Sequence, residues 1–403
     1  MSGEITPFGA EPSSLPRVAF FAHDSQGLGH IRRVLALAGE LARRRPDARM
    51  LALTSSFFGG VWSTPERLDL IKLPSQSRLR VYQHDPNAQH SARERAPLFY
   101  GLREVLIQRV IDAFAPRLFV VDNQPMGLLA SRELVAPLEQ MRRAGSARLV
   151  LGLRDIFDTP EWVRQPWFHQ EITRLLREVY DQVLVYGDRS VFDVVREYDF
   201  PAAVAEKVVY TGYIRKREPL TPAAELRAQL GAEDRPLVVV TSGSGFDGAA
   251  LEQAYVAALA QGLLPDVASF VVAGPLMAER ERALLLQAAH RPATRIVAFD
   301  DQLTSWINAA DLVVSMAGYN SVTEAVGFGK RLVLVPRPGP GEQLIRATLF
   351  AERGLSSLLS PDALSPKALA ASVRQALASP PPEVTLDFGG LERAGELLAG
   401  GLR

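Results

Sequence analysis

His30 closes the stretch Gln26-Gly-Leu-Gly-His30, which directly follows an apolar run over residues 17–22. An imidazole at the carboxyl edge of a strand can take a proton from an incoming hydroxyl. His23 stands earlier in the same loop, and both histidines also fit an ordinary loop or cap role. Asp122 ends the apolar run 118–121. It can orient such a histidine, act as the base itself, or simply make a turn.

A second group of residues suits an anion. The loop Thr241-Ser-Gly-Ser-Gly-Phe-Asp-Gly248 follows an apolar run and precedes the helical pattern 249–260. Glycines let a backbone approach a ligand closely, and amides at a helix start favour a diphosphate. Ser242, Gly243, Ser244, Gly245 and Gly248 are therefore candidate diphosphate contacts, although a tight turn without a ligand has the same look. The loop lacks the Lys-Ser/Thr ending of a triphosphate-binding loop, which argues against a kinase or ATPase. In the first loop, Arg32 or Arg33 stands where a dinucleotide fingerprint needs its third glycine, which argues against a nicotinamide cofactor.

The densest signal is Ser315-Met-Ala-Gly-Tyr-Asn-Ser-Val-Thr-Glu324, followed by a further apolar run and then Pro336-Arg-Pro-Gly-Pro-Gly-Glu-Gln343. Gly318 shapes the small-residue loop, and Asn320 or Ser321 is expected to cap a helix with Glu324 on its first turn. A carboxylate there can bridge two ribose hydroxyls or serve only as a capping glutamate. The proline-rich turn presents Glu342 and Gln343 as partners for sugar hydroxyls. No Asp-x-Asp pair occurs, so no carboxylate clamp for a divalent metal is evident and no metal or other cofactor is expected.

These residues belong to a chain of 403 residues with 47% hydrophobic and 22% charged content, enough for two domains with cores of their own. Its 45 basic and 45 acidic residues cancel, so nothing in the net charge favours nucleic acid. There is no cysteine, which rules out disulfides, thiolate nucleophiles and cysteine-bound zinc, and fits a cytoplasmic location. Residues 1–16 read as a flexible tail without a secretory pattern. No apolar run reaches the length of a membrane span, leaving at most peripheral contact at the inner membrane.

The elements that must position these groups form two series. Strands are expected at 17–22, 50–54, 118–122, 148–153 and 182–186, separated by helical stretches that include 31–45, 98–114 and 161–180. A second series has strands at 237–241, 269–273, 295–298, 312–315 and 332–335. Alternation of this kind predicts an α/β fold of two Rossmann-like parallel-sheet domains facing across a cleft, with ligands at the carboxyl ends of the strands. The boundaries are 17–215 for an N-terminal acceptor-binding domain and 216–385 for a C-terminal donor-binding domain, with a linker near 212–222. The segment 386–403 reads as a helix packing back across that linker. Phe57, Phe58 and Trp62, with Arg67 and Lys72, form either a lipid-facing patch or part of a core.

Taken together, Gly27-Leu-Gly-His30, Val121-Asp-Asn-Gln-Pro-Met-Gly127, Leu151-Gly-Leu-Arg-Asp-Ile156, Thr211-Gly-Tyr213, the 315–324 stretch and Glu342-Gln-Leu-Ile-Arg-Ala347 resemble a known family. It is the bacterial GT-B glycosyltransferases related to the N-acetylglucosaminyltransferase that completes the peptidoglycan lipid precursor, a family-28-like group. The resemblance spans most of the chain and looks closest to a less studied branch of it. It implies that residues 242–248 contact the donor diphosphate, that the backbone around Phe299 receives the base, and that Glu324 binds ribose. Glu342 and Gln343 would face the donor sugar, and His30 would lie near the reacting centre. The implied reaction is inverting, metal-independent transfer from a nucleotide sugar, a UDP-sugar, to a small-molecule, saccharide or lipid-linked acceptor. A nucleotide-sugar epimerase of similar architecture and a non-catalytic nucleotide-sugar-binding subunit are the alternatives. Residues 55–100, long, aromatic and basic, suit an acceptor and so favour a transferase over the epimerase.

Overall fold

The computed structural model describes residues 15–23, 28–75, 96–217, 219–287 and 292–402. Most of the expected tail, Gln26 and Gly27 of the first loop, and 76–95 of the long insertion lie outside these residues.

Among these residues, seven parallel strands form the first sheet: β1 Arg17–Ala22, β2 Arg49–Thr54, β3 Leu68–Lys72, β4 Leu118–Asp122, β5 Arg148–Arg154, β6 Gln182–Tyr186 and β7 Val208–Tyr210, in the order β3-β2-β1-β4-β5-β6-β7. The second sheet has six: β8 Leu237–Thr241, β9 Ala268–Val272, β10 Thr294–Val297, β11 Leu312–Ser315, β12 Arg331–Leu334 and β13 Ser357–Leu358, in the order β10-β9-β8-β11-β12-β13. The inner strands are apolar on both faces because helices cover both. In β1, Val18 and Phe20 join one core with Val34, Leu37 and Leu41 of the helix Gly29–Arg44. Ala19 and Phe21 join the other, with Ile107 and Ile111 of the helix Pro97–Phe114.

Strand order reverses between β1 and β4 in the first sheet and between β8 and β11 in the second. Such switch points open a crevice beyond the strand ends. The loops carrying His30 and Asp122 leave one crevice; the loops 241–248 and 315–318 leave the other.

β3, β7 and β13 have no counterpart in the sequence reading. All three are edge strands, short and partly exposed, so they lack a sustained apolar run. The expected helix over 161–180 is instead Pro160–Val163 and Pro166–Glu178. A proline cannot donate the hydrogen bond that would continue the first segment through position 166.

The helix Gly390–Gly400 lies against the helix Gly29–Arg44 of the first sheet. A Cβ on Gly395 would come within 2.4 Å of Glu40 Cγ, so only glycine allows this approach. Leu391, Ala394 and Leu398 bury into the core that holds Val34 and Leu41, and Arg45 Nη1 donates to Leu402 O at 3.3 Å. The chain thus leaves the second sheet and returns to the first.

Candidate active site

His30 is the second residue of the helix Gly29–Arg44, and its Nδ1 lies 2.7 Å from Asp122 Oδ2. Asp122, fully buried, is gripped at both oxygens by Arg33, one helical position past Arg32, with Nε to Oδ1 at 2.8 Å and Nη2 to Oδ2 at 2.7 Å. Burial by itself would raise the Asp122 pKa. Arg33 and the His30 hydrogen bond outweigh it and hold the carboxyl below its ordinary range. An ionised Asp122 then fixes the proton on Nδ1 and makes Nε2 the basic nitrogen of His30. Protein closes over Asp122, and His30 stands between it and the cleft. His23 lies edge-on to His30, ring centroids 6.2 Å apart. Loss of solvation, helped by the charges of His30 and Arg103, pushes its pKa down to about 3, so it is neutral.

Across the cleft, Ser242, Gly243 and Ser244 line the same pocket of about 200 Å³ as His30, together with Gly318, Asn320, Ser321, Glu342, Gln343 and Phe299. The helices Ala249–Ala260, Tyr319–Gly327 and Glu342–Glu352 all start at it, with Gly248, Gly318 and Gly341 as N-caps that supply no side-chain acceptor. First-turn amides are thereby left for an anion. Gly245 and Gly248 do not line the pocket; they pack the loop inward. A Cβ on Gly245 would meet Ala273 O at 2.2 Å, and one on Gly248 would meet Ser242 Cβ at 2.0 Å. Beneath the loop, buried Glu252 accepts from the Ser242 hydroxyl at 2.7 Å and its N–H at 3.2 Å. Desolvation pushes its pKa up to about 8.

The helix cap differs from expectation. Gly318 is the N-cap, Asn320 and Ser321 lie inside the first turn, and Glu324 falls one turn later, buried. A carboxylate so far along gains little from the helix dipole. Glu324 is held by other charges: Lys216 Nζ at 3.4 Å, Arg32 Nη2 at 3.8 Å and the Thr304 hydroxyl at 3.1 Å. Those groups outweigh a desolvation that would raise its pKa and keep it ionised. Glu324 thus sits behind the pocket wall, with Arg32 in front of it. Asn320 Nδ2 donates across the cleft to Gly29 O at 3.4 Å. Glu342 pairs with Arg346 through Oε2 and with Arg154 of β5 through Oε1 at 3.4 Å. Gln343 Oε1 accepts from Arg337 N–H at 3.0 Å.

Sequence reasoning did not place Arg154, Arg337 and Trp62 in this cleft, yet all three line it. Phe58 and Trp62 pack on Phe299, with ring centroids 6.4 and 6.1 Å apart. Trp62 also packs against the core that holds Ile31 and Val34, so of the two readings it fits the core one. Phe57 is exposed, with Lys72 Nζ 4.3 Å from its ring centroid. Only the Arg-Asp pair at 154–155, at the end of a strand, hinted at a charged cleft wall. Among the described residues no group of three or more His, Asp or Glu side chains is placed to hold a metal, and no helix is long and apolar enough to cross a membrane.

The glycosyltransferase family 28 C-terminal domain matches residues 237–385, which contain the diphosphate-loop candidates, Glu324, Glu342 and Gln343. An uncharacterized glycosyltransferase of Methanopyrus kandleri is 29% identical over 238 residues, 57% of this chain and 64% of that protein. The UDP-N-acetylglucosamine--N-acetylmuramyl-(pentapeptide) pyrophosphoryl-undecaprenol N-acetylglucosamine transferase of Acidothermus cellulolyticus is 32% identical over 138 residues, 34% of this chain and 37% of that one. Both matches therefore span less than two thirds of the relative's own length. Among solved structures, Medicago truncatula UGT71G1 complexed with UDP-glucose superposes with a TM-score of 0.63 at 13% identity, covering 96% of this chain and 98% of that one. Acinetobacter baumannii MurG gives 0.52 at 17%, covering 94% and 95%. At such identities the likeness speaks for the fold. Residues 237–385 thus match the glycosyltransferase family 28 C-terminal domain, within a chain whose two-domain fold is that of the GT-B glycosyltransferases.

Proposed function

We propose that the protein transfers a sugar from a nucleotide-sugar donor, a UDP-sugar, to an acceptor hydroxyl by a single inverting, metal-independent displacement. One observation carries this reading: the His30–Asp122 pair of the first domain faces the glycine loop and the Glu342–Gln343 pair of the second in one pocket. His30 Nε2 takes the acceptor proton as the hydroxyl oxygen attacks the anomeric carbon. The bond from that carbon to the diphosphate breaks, its electron pair leaving with the diphosphate oxygen. Amides of residues 242–244 and of the glycine-capped helices stabilise the departing charge. Glu342 and Gln343 hold sugar hydroxyls, Phe299 meets the base, and Glu324 takes the ribose once Arg32 yields its place. Because base and leaving-group site lie on different domains, closure about the linker aligns them.

The acceptor side has room of its own. A cavity of about 740 Å³ opens at the carboxyl ends of β2 and β3, lined by Thr54, Phe57, Leu70, Leu73, Phe99 and Leu106 among others. Its apolar walls suit an acceptor with a substantial hydrophobic part. A cytoplasmic place of action accords with the cysteine-free sequence.

The test is thermal stabilisation by a panel of nucleotides and nucleotide sugars, on wild type and Glu324→Gln. A ligand that binds the folded state alone raises apparent stability. We expect a shift with UDP-sugars that shrinks in the variant. No shift with any nucleotide at millimolar concentration sinks the reading.

A further inference from the structure

A departing diphosphate carries several negative charges, yet the loop 241–248 contains no basic residue and has an aspartate, Asp247. Amide dipoles alone meet only part of that charge. Among the described residues, four guanidinium groups line the cleft: Arg32, Arg33, Arg154 and Arg337. Three have strong commitments. Arg33 spends both arms on buried Asp122. Arg32 serves Thr304 at 3.3 Å and Glu324, with Trp62 beneath it. Arg337 is tied to Asp247.

Arg154 differs. Its Nε, like that of Arg32, is shut off from solvent and has no hydrogen-bond partner, but it lacks the several partners that hold Arg32. Its Nη1 meets Glu342 Oε1 at a long 3.4 Å, while the other oxygen of Glu342 is already taken by Arg346. Its backbone is anchored, because Arg154 N–H donates to Asn123 Oδ1 at 3.0 Å. Asn123 itself is buried. The side chain therefore leaves a fixed point at the end of β5 and reaches into the pocket that the glycine loop lines from the opposite domain.

Resting on the donor-site reading above, we propose that Arg154 is the cation that binds the donor diphosphate from the first domain and receives the leaving-group charge. As the donor enters, a sugar hydroxyl takes over Glu342 Oε1, and the guanidinium turns its N–H groups to the diphosphate oxygens. When the anomeric bond breaks, the electron pair stays on the leaving oxygen, and Arg154 donates hydrogen bonds to it without giving up a proton. A group of this kind also ties donor binding to the approach of the two domains.

The experiment is calorimetric titration of wild type, Arg154→Gln and Arg154→Lys with UDP and with uridine. We expect Arg154→Gln to weaken UDP about 10- to 100-fold, the range of one charge-assisted contact. Uridine affinity should stay unchanged, and Arg154→Lys should recover part of the loss. An equal loss for both ligands marks a structural residue and overturns the proposal, as does no loss for either. If wild type binds neither UDP nor uridine, the donor-site reading fails first and takes this proposal with it.

Discussion

Asp122 and Arg33 bind each other through two hydrogen bonds with almost no solvent in reach, and the histidine that faces the cleft depends on that pair. Replacing Asp122 by Asn leaves the Arg33 charge without its counterion, and breaking a buried pair in this way costs about 3–5 kcal/mol. The folded-state pKa of Asp122 lies below its ordinary value. The carboxylate therefore contributes stability that is present above the unfolded pKa, about 3.9, and is lost as pH falls through the folded value. Denaturant titrations from pH 7 down to 2 should show this acid limb in wild type and a shallower one in Asp122→Asn. His30→Gln should lower kcat by about 10²- to 10⁴-fold while nucleotide affinity stays unchanged, measured by donor turnover and calorimetry. The histidine and the aspartate were each visible in the sequence as polar residues at strand ends. Their pairing was one of three readings the sequence left open; that it forms, and that Arg33 enforces it, joins residues 89 and 92 positions apart, which no local pattern decides.

The glycine loop after β8 is the element in which local pattern and packing agree best. A strand, small residues and a helix start announce an anion site, and the folded loop exposes Gly243 while it presses Gly245 and Gly248 inward. Glu252, on the first turn of the following helix, is fully buried under Ser242. Its folded pKa, about 8, lies above the ordinary carboxylate value. The sign follows directly: stability is fully present below the unfolded pKa and declines as pH rises through about 8. Glu252→Gln keeps an acceptor for Ser242 without the titration. Its stability should therefore vary less between pH 5 and 8 than that of wild type, measured by chemical denaturation across that interval. The opposite edge elements, β3, β7 and β13, were illegible because short strands beside solvent carry no continuous apolar run.

At the scale of the molecule, one buried network crosses between the sheets. Arg346 of the second domain donates to Asp155 of the first at 2.9 Å and also holds Glu342. Tyr319 Oη donates to Tyr186 O at 2.8 Å. The returning helix Gly390–Gly400 adds apolar burial on the far side. Domains joined so tightly should unfold together. We expect wild type to show one calorimetric transition and Gly395→Val to show two, because a branched side chain has no room beside Glu40. A single unshifted transition in Gly395→Val would remove the C-terminal helix from this coupling.

Strand and helix positions, the two-domain α/β plan and the loops around the cleft could be read from the chain because each is a local property. Apolar runs such as Leu237–Thr241 must be buried on both faces, and small residues before a helix must make a turn. Folding alone decided which polar residues meet. Arg154 against Glu342, Arg32 before Glu324, and Trp62 on Phe299 bring together side chains from different domains. Contacts of that kind follow from strand order and domain packing, which no periodicity in a short stretch of sequence encodes.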